Sequence, residues 1–164
     1  QDGVEILSVG VELSSTTHRK DDWLRIIRSV RQRYHGLLTY GSLLYGPYGQ
    51  ANPPSDDTKI EWWDALDYIG IQVWPGLTTK NDPTVQELKR AWVETGLAAQ
   101  FEEVSRRFNK PVIFTEIGYR SLDGTNKAPG LWREKKGTID LQEQADTYQA
   151  VFEVFWGKPW LAGI

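Results

Sequence analysis

Two glutamates in this chain stand at the ends of short apolar runs. Glu12 closes VEILSVGVEL (4–13), and Glu116 closes the run VIFTEI that follows Pro111. Carboxyl groups at strand ends suit glycoside hydrolysis: one attacks the sugar carbon while the other protonates the departing oxygen, and a separation of about 5–5.5 Å implies retention of configuration. Glutamate serves both roles, because burial and a like-charged neighbour push one pKa up while the other stays low. A glutamate at a strand end also serves as a solvated terminus or as an arginine's partner. Pattern alone leaves both readings open.

The elements that would position these groups alternate along the chain. Residues 4–13 are β-branched and apolar, as in a strand buried on both faces. Residues 21–34 set Trp23, Ile26, Ile27, Val30 and Tyr34 at helical spacing, with Asp21 and Asp22 at the end where the helix dipole favours acids. The basic residues between them (Arg25, Arg28, Arg31, Arg33) read as a solvated face. Gly36 precedes a second strand over 37–40. A polar loop with Pro47, Pro53 and Pro54 leads to an aromatic segment at Trp62 and Trp63, then to a third strand over 68–73. Asp82-Pro83-Thr84 reads as a helix start, and the helical pattern runs to Phe108. VIFTEI is the fourth strand and 119–138 a loop rich in Gly and Lys. Residues 140–156 form a helix with Tyr148, Val151, Phe152 and Phe155 on one face, and 160–164 a fifth strand. This alternation argues an α/β fold with a parallel sheet and right-handed crossovers. Chemistry in such sheets gathers at the C-terminal strand ends, where Glu12 and Glu116 stand.

Composition narrows the function classes. The 164 residues are enough for one domain, 1–164, and too few for two ordinary ones. Nineteen basic against 22 acidic side chains give a formal charge of −3, which offers no electrostatic case for nucleic acid or an anionic membrane as partner. No run approaches the ~18 apolar residues of a membrane helix. The absence of Cys removes thiol nucleophiles, disulfides and thiolate metal sites, and leaves the compartment undecided. Two His make a His-rich metal site an unfavoured reading; His18, just after Glu12, would rim the site at most. The chain has no Met and no signal segment, and reads as a mature or truncated product. Its 8 Trp outnumber the 7 Tyr and 5 Phe, a surplus that fits a sugar-binding groove.

The segment PVIFTEIGYRS (111–121) resembles the nucleophile strand of clan A glycoside hydrolases, which are (β/α)8 barrels. The resemblance tightens to glycoside hydrolase family 113, the β-mannanases and their relatives, in which Gly-x-Glu-Leu precedes a helix and then Val-Arg-x-x-Tyr-x-Gly-x-Leu-Thr-Tyr. Here the strings are Gly10-Val11-Glu12-Leu13 and, from Val30, VRQRYHGLLTY. WWDALDYIGI (62–71) resembles the approach through the sixth barrel strand, and FWGKPWLAGI (155–164) the run into the eighth. The resemblance implies half a TIM barrel, strands four to eight, with Glu12 as general acid/base and Glu116 as nucleophile. It implies retaining hydrolysis of β-linked oligo- or polysaccharide, of β-mannan or β-glucoside type, with no metal or organic cofactor. A β-glucosidase-type exo-hydrolase and a catalytically weak sugar-binding remnant are the alternatives.

The departures bear on specificity. Many clan A enzymes carry Asn before the acid/base; here the position is Val11, so the contact to the sugar 2-hydroxyl must come from elsewhere. The fifth-strand end reads Tyr40-Gly41-Ser42 and the sixth Gln72-Val73-Trp74-Pro75, neither with the pattern expected of a mannanase. Trp74 and Tyr40 are candidate sugar contacts. Of Trp62 and Trp63, one packs inward and the other, assigned here to Trp63, faces the groove. Tyr119 either lines the site or packs on the rim. Trp23, Trp92 and Trp156 read as core, Glu61 and Asp67 as caps or ion-pair partners, and Gly10 and Gly118 as points of close backbone approach. A full barrel needs ~250 residues. Five strands cannot close, so the open edges predict a homo-oligomer or a complementing barrel half.

Overall fold

The computed structural model describes residues 3–46, 55–131 and 137–164. Five strands form one parallel sheet in chain order: β1 (Ile6–Val11), β2 (Leu37–Gly46), β3 (Ile69–Pro75), β4 (Val112–Ile117) and β5 (Leu161–Gly163). Helix α1 (Lys20–Arg31) links β1 to β2, α2 (Val85–Glu94) and α3 (Leu97–Phe108) lie between β3 and β4, and α4 (Leu141–Phe155) leads into β5. Each neighbour in the sheet is the next strand in sequence, the order of one continuous arc of a (β/α)8 barrel. No helix among the described residues is long and apolar enough to cross a membrane. The proline loop around Pro47, Pro53 and Pro54 lies outside the described residues, as do 132–136 of the expected 119–138 loop.

The helices start and stop where local chemistry dictates. Thr84 accepts from the Glu87 N–H at 3.3 Å while the Glu87 carboxylate accepts from the Thr84 N–H at 2.9 Å, so two otherwise unpaired donors are satisfied at the start of α2. The helical pattern expected to run unbroken to Phe108 is two helices. Gly96 sits at φ +77°, a left-handed turn open to glycine, and the chain changes direction there. Asp140 caps α4 by accepting from the Glu143 N–H at 2.8 Å.

The helix-side core forms two aromatic groups. Trp23 of α1 stacks on Trp62 at 4.7 Å, and Tyr40 meets both rings edge-on at 5.1 Å. Phe101, Phe114 and Phe155 form the second group, with Trp92 against Phe155 and Trp160 at its edge. Most of the Trp surplus is thus structural, a correction to its reading as a sugar groove: Trp23, Trp62, Trp63 and Trp92 are buried. Trp156, expected in the core, is 72% exposed; it follows α4 and its ring meets that of Phe152, itself exposed. Asp67 behaves as expected, accepting from the Leu38 N–H at 2.7 Å and pairing with Arg31.

Two strands differ from expectation in a way that matters for the site. β2 continues through Gly41 to Gly46, so its C-terminal end carries Tyr45 rather than Tyr40. β1 was expected to be buried on both faces, and it is not. It is an edge strand, paired only with β2, and Ile6, Leu7 and Val11 are exposed along it. Ile26 of α1 is exposed beside it, and together with Leu7, Val30 and Tyr34 it lines an open groove on this flank.

Candidate active site

The face of the sheet away from the helices carries the site, and strand alternation decides which side chains reach it. Along β3, Ile69, Ile71 and Val73 enter the core, so Gln72 and Trp74 point the other way. Along β2, Leu38, Tyr40 and Leu44 are core, and Leu43 and Tyr45 face outward. In register, Leu43 pairs with Gln72 and Tyr45 with Trp74. These residues, with Val11, Glu12, Glu116 and Gly130, line one cleft of about 430 Å³ at the C-terminal end of the sheet. Both glutamates singled out by the sequence thus stand in the same cleft.

Each glutamate reaches it through an irregularity in its strand. In β4 the pairing steps from Ile71–Phe114 to Gln72–Glu116, so Thr115 is an extra residue with no partner in β3. Val112, Phe114 and Glu116 would share one face of a regular strand, and the first two are buried core. The extra residue turns Glu116 out of that face and into the cleft. In β1 the pairing steps from Ser8–Thr39 to Val11–Gly41, three residues against two, and the strand ends directly before Glu12.

Glu12 itself has φ 52°, a conformation that costs non-glycine residues energy and concentrates at functional positions. It is held there from both sides. The Glu12 N–H donates to the Gly41 carbonyl at 2.9 Å, and the Leu13 N–H donates to the Tyr40 hydroxyl at 2.8 Å. Burial pushes the Tyr40 phenol up to about 12, so it stays a neutral hydroxyl in this bond. The carboxyl of Glu12 is raised above its ordinary value, first because the cleft walls strip part of its water and second because of the negative charge of Glu116. One group is thereby biased toward the acid form beside a second carboxylate, the division of roles that an acid and a nucleophile require.

Three expected sugar contacts are corrected. Tyr40 and Trp63 are fully buried and Tyr119 is 4% exposed. None of these rings is among the residues that line the cleft. Tyr40 props the backbone after Glu12. The Trp63 indole N–H donates to the Asp57 carbonyl at 2.8 Å, and Trp62 is buried beside it rather than sharing duty with it. Tyr119 packs edge-on against Tyr148 at 5.4 Å, its carbonyl accepting from Gln144 at 2.7 Å. Trp74 does line the cleft. Gly118 leaves it room, since a Cβ there would come within 3.1 Å of its ring. Gly10 does the same for Trp23, at 2.8 Å. His18 is exposed and is not among the cleft residues.

Sequence reasoning missed Tyr45 and Gln72. Tyr45 was lost because β2 was ended six residues early, at Tyr40 rather than Gly46. It stands beside Trp74 in register, and Gly130 approaches both side chains: a Cβ there would lie 2.4 Å from an edge atom of the Tyr45 ring and 3.5 Å from the Trp74 Cβ. Gln72 had a signal, its period-two spacing from Trp74.

A second cluster of acids is structural. Asp82, Asp123, Asp140 and Glu143 converge, but the oxygens of Glu143 already accept from the N–H groups of Gly124 (2.7 Å), Asn126 (3.0 Å) and Asp82 (3.4 Å) and from the Asn126 amide (2.7 Å). Asp82 is raised, first by its hydrogen bond with Asp140, and Asp140 is lowered, first by the Glu143 N–H it accepts and then by Asp82. The cluster ties the loop before α4 to the start of α2.

The chain matches the family model described as Glycoside Hydrolase Family 113 over residues 1–164. No curated protein sequence matches it. A solved β-1,4-mannanase of that family, in a complex, is 30% identical with a TM-score of 0.72; the match covers 97% of this chain and 43% of that one. A family 113 β-mannanase from Alicyclobacillus acidocaldarius, solved in complex with ManMIm, is 27% identical with a TM-score of 0.75, covering 98% of this chain and 44% of that one. The chain therefore spans less than half the length of these solved relatives, as a partial barrel should.

Proposed function

This chain belongs to glycoside hydrolase family 113, and on that premise we propose that it carries the catalytic pair of a retaining β-glycosidase acting on β-mannan-type or β-glucoside-type substrates. The observation that carries the reading is the shared cleft: two carboxyl groups on different parallel strands face one space, and burial, with the charge of Glu116 added, raises the Glu12 carboxyl above its ordinary value. In the first step the Glu116 carboxylate forms a bond to the anomeric carbon as the glycosidic C–O bond breaks, and the proton of Glu12 goes to the departing oxygen. In the second, Glu12, now a carboxylate, takes a proton from water as that water's oxygen displaces Glu116. Trp74 and Tyr45 offer the flat faces on which sugar rings stack.

A 2-deoxy-2-fluoro-β-mannosyl or -glucosyl fluoride slows the second step more than the first and traps the intermediate. One deoxyfluorohexosyl group is expected on the peptide that contains Glu116, found by mass spectrometry after digestion. A label on the Glu12 peptide would reverse the roles, and no label at all would remove the covalent mechanism. The short length relative to the solved enzymes favours one second reading, a sugar-binding remnant. Oligosaccharide binding without trapping identifies it.

The open edges support a partner as well. We propose that the unpaired side of β1 and its exposed Ile6, Leu7 and Val11 join another polypeptide, either a second copy or one that supplies further barrel strands. Sedimentation of the purified chain is expected to show a species above 18.8 kDa, and a monodisperse monomer would count against self-association.

A further inference from the structure

Gln72 is the polar side chain of the cleft that the two-carboxylate chemistry leaves unused. It is 2% exposed, and its Oε1 is closed to solvent with no hydrogen-bond partner among the described residues. A buried acceptor left unpaired costs roughly 1–3 kcal/mol, so such an atom calls for a donor. Its two partners in register supply none. In the sheet it lies between Leu43, which has no polar atom beyond its backbone, and Glu116, which as a carboxylate only accepts. Trp74, two residues on, is on the same face one step nearer the strand end, and Glu12 lines the same cleft.

The register states which part of a bound sugar Gln72 meets. Gln72 is the β3 partner of Glu116. If Glu116 reaches the anomeric carbon, Gln72 stands beside that carbon, next to one of the two ring positions flanking it. One is the ring oxygen, which carries no hydrogen. The other bears the 2-hydroxyl, which does. Only the second donates to an unpaired amide oxygen. Hydrogen bonds to this hydroxyl strengthen in the transition state of glycoside hydrolysis, and the residue before Glu12 is Val11, which cannot make one.

Resting on the glycosidase reading above, we propose that Gln72 is the specificity residue for the sugar bound over Glu116, its Oε1 accepting a hydrogen bond from the 2-hydroxyl.

Binding tests this without requiring turnover. The probes are two iminosugars of the mannose series, 1-deoxymannojirimycin and its analogue lacking the 2-hydroxyl, titrated calorimetrically into the full chain. The wild type is expected to prefer the hydroxylated compound by roughly 10–100-fold, since the deoxy compound leaves Oε1 unpaired. In Gln72→Met, which keeps length and removes the acceptor, the preference falls to within about threefold, chiefly through weaker binding of the hydroxylated compound. Gln72→Glu keeps an oxygen in the same place and retains the preference, which a role in packing alone would not predict. A preference that persists unchanged in Gln72→Met, or that is absent from the wild type while both compounds bind, overturns the assignment of Gln72 alone. Failure of the wild type to bind either iminosugar, and equally 1-deoxynojirimycin of the glucose series, overturns the glycosidase reading and this inference with it.

Discussion

Glu116→Ala is expected to lower turnover of aryl β-glycosides by roughly 10⁴–10⁶-fold, the scale on which loss of a covalent nucleophile is felt. The fold should not register the change. Glu116 is exposed and accepts no hydrogen bond from the described residues, so its removal leaves no buried group unpaired. Thermal midpoints of the two proteins are expected to agree within a few degrees, which separates lost chemistry from lost structure. Azide gives the sharper result. With the carboxylate truncated, a small anion enters the vacated space and attacks the anomeric carbon from that side, while Glu12 still protonates the leaving group. A single displacement inverts the centre, so the product is an α-glycosyl azide. If Glu116 were the acid instead, azide would intercept a glycosyl enzyme formed elsewhere and give the β-azide. Undiminished activity in Glu116→Ala, or a β-azide product, sinks the assignment.

The outcome turns on a feature that no local reading of the sequence contains. Composition and apolar runs were enough to place strands near their observed positions and to mark Glu12 and Glu116 at strand ends, because short β-branched segments bounded by Gly and Pro have few other structures open to them. The start of α2 was equally legible, since a threonine three residues before a glutamate closes its own hydrogen bonds. Which way a side chain points was not. Strict alternation puts Glu116 on the face of Val112 and Phe114, inside the core. Only the extra Thr115 in the pairing with β3 brings it into the cleft, and pairing is a property of two strands. The end of β2 was illegible for a related reason. The strand runs on through Gly41 to Gly46, and the same small-residue floor includes Gly70, where a Cβ would lie 2.4 Å from the Tyr40 carbonyl oxygen. The tryptophans show the limit of counting. Their number suits a groove or a core, and only packing against Tyr40 and Phe155 assigns most of them to the core.

Glu12→Gly separates what the residue contributes to chemistry from what it costs the fold. At φ 52° a side chain is strained by about 1–2 kcal/mol, and glycine removes that strain while adding about 0.5–1 kcal/mol of backbone entropy to be lost on folding. The variant is therefore expected to match the wild type in denaturant stability or exceed it by up to about 1.5 kcal/mol, whereas Glu12→Gln keeps the strain and should gain nothing. Activity moves the other way, and by how much depends on the leaving group. A dinitrophenolate departs without a proton, so its release should be little affected in either variant. An alkyl or sugar leaving group needs the acid, and its release should slow by roughly 10²–10⁴-fold. The same logic fixes the sign of the pH dependence. Because Glu12 is raised by the cleft and by Glu116, its acid form persists above the usual carboxylate range, and hydrolysis of poor leaving groups should fall as pH rises through that raised value. Both variants should lose this alkaline limb, because neither has a proton to give up there. Equal slowing for good and poor leaving groups would move Glu12 from proton donor to substrate positioning. A loss of stability in Glu12→Gly would mean that the left-handed turn is set by the carboxylate itself, rather than imposed by the bonds from Gly41 and Tyr40 on either side.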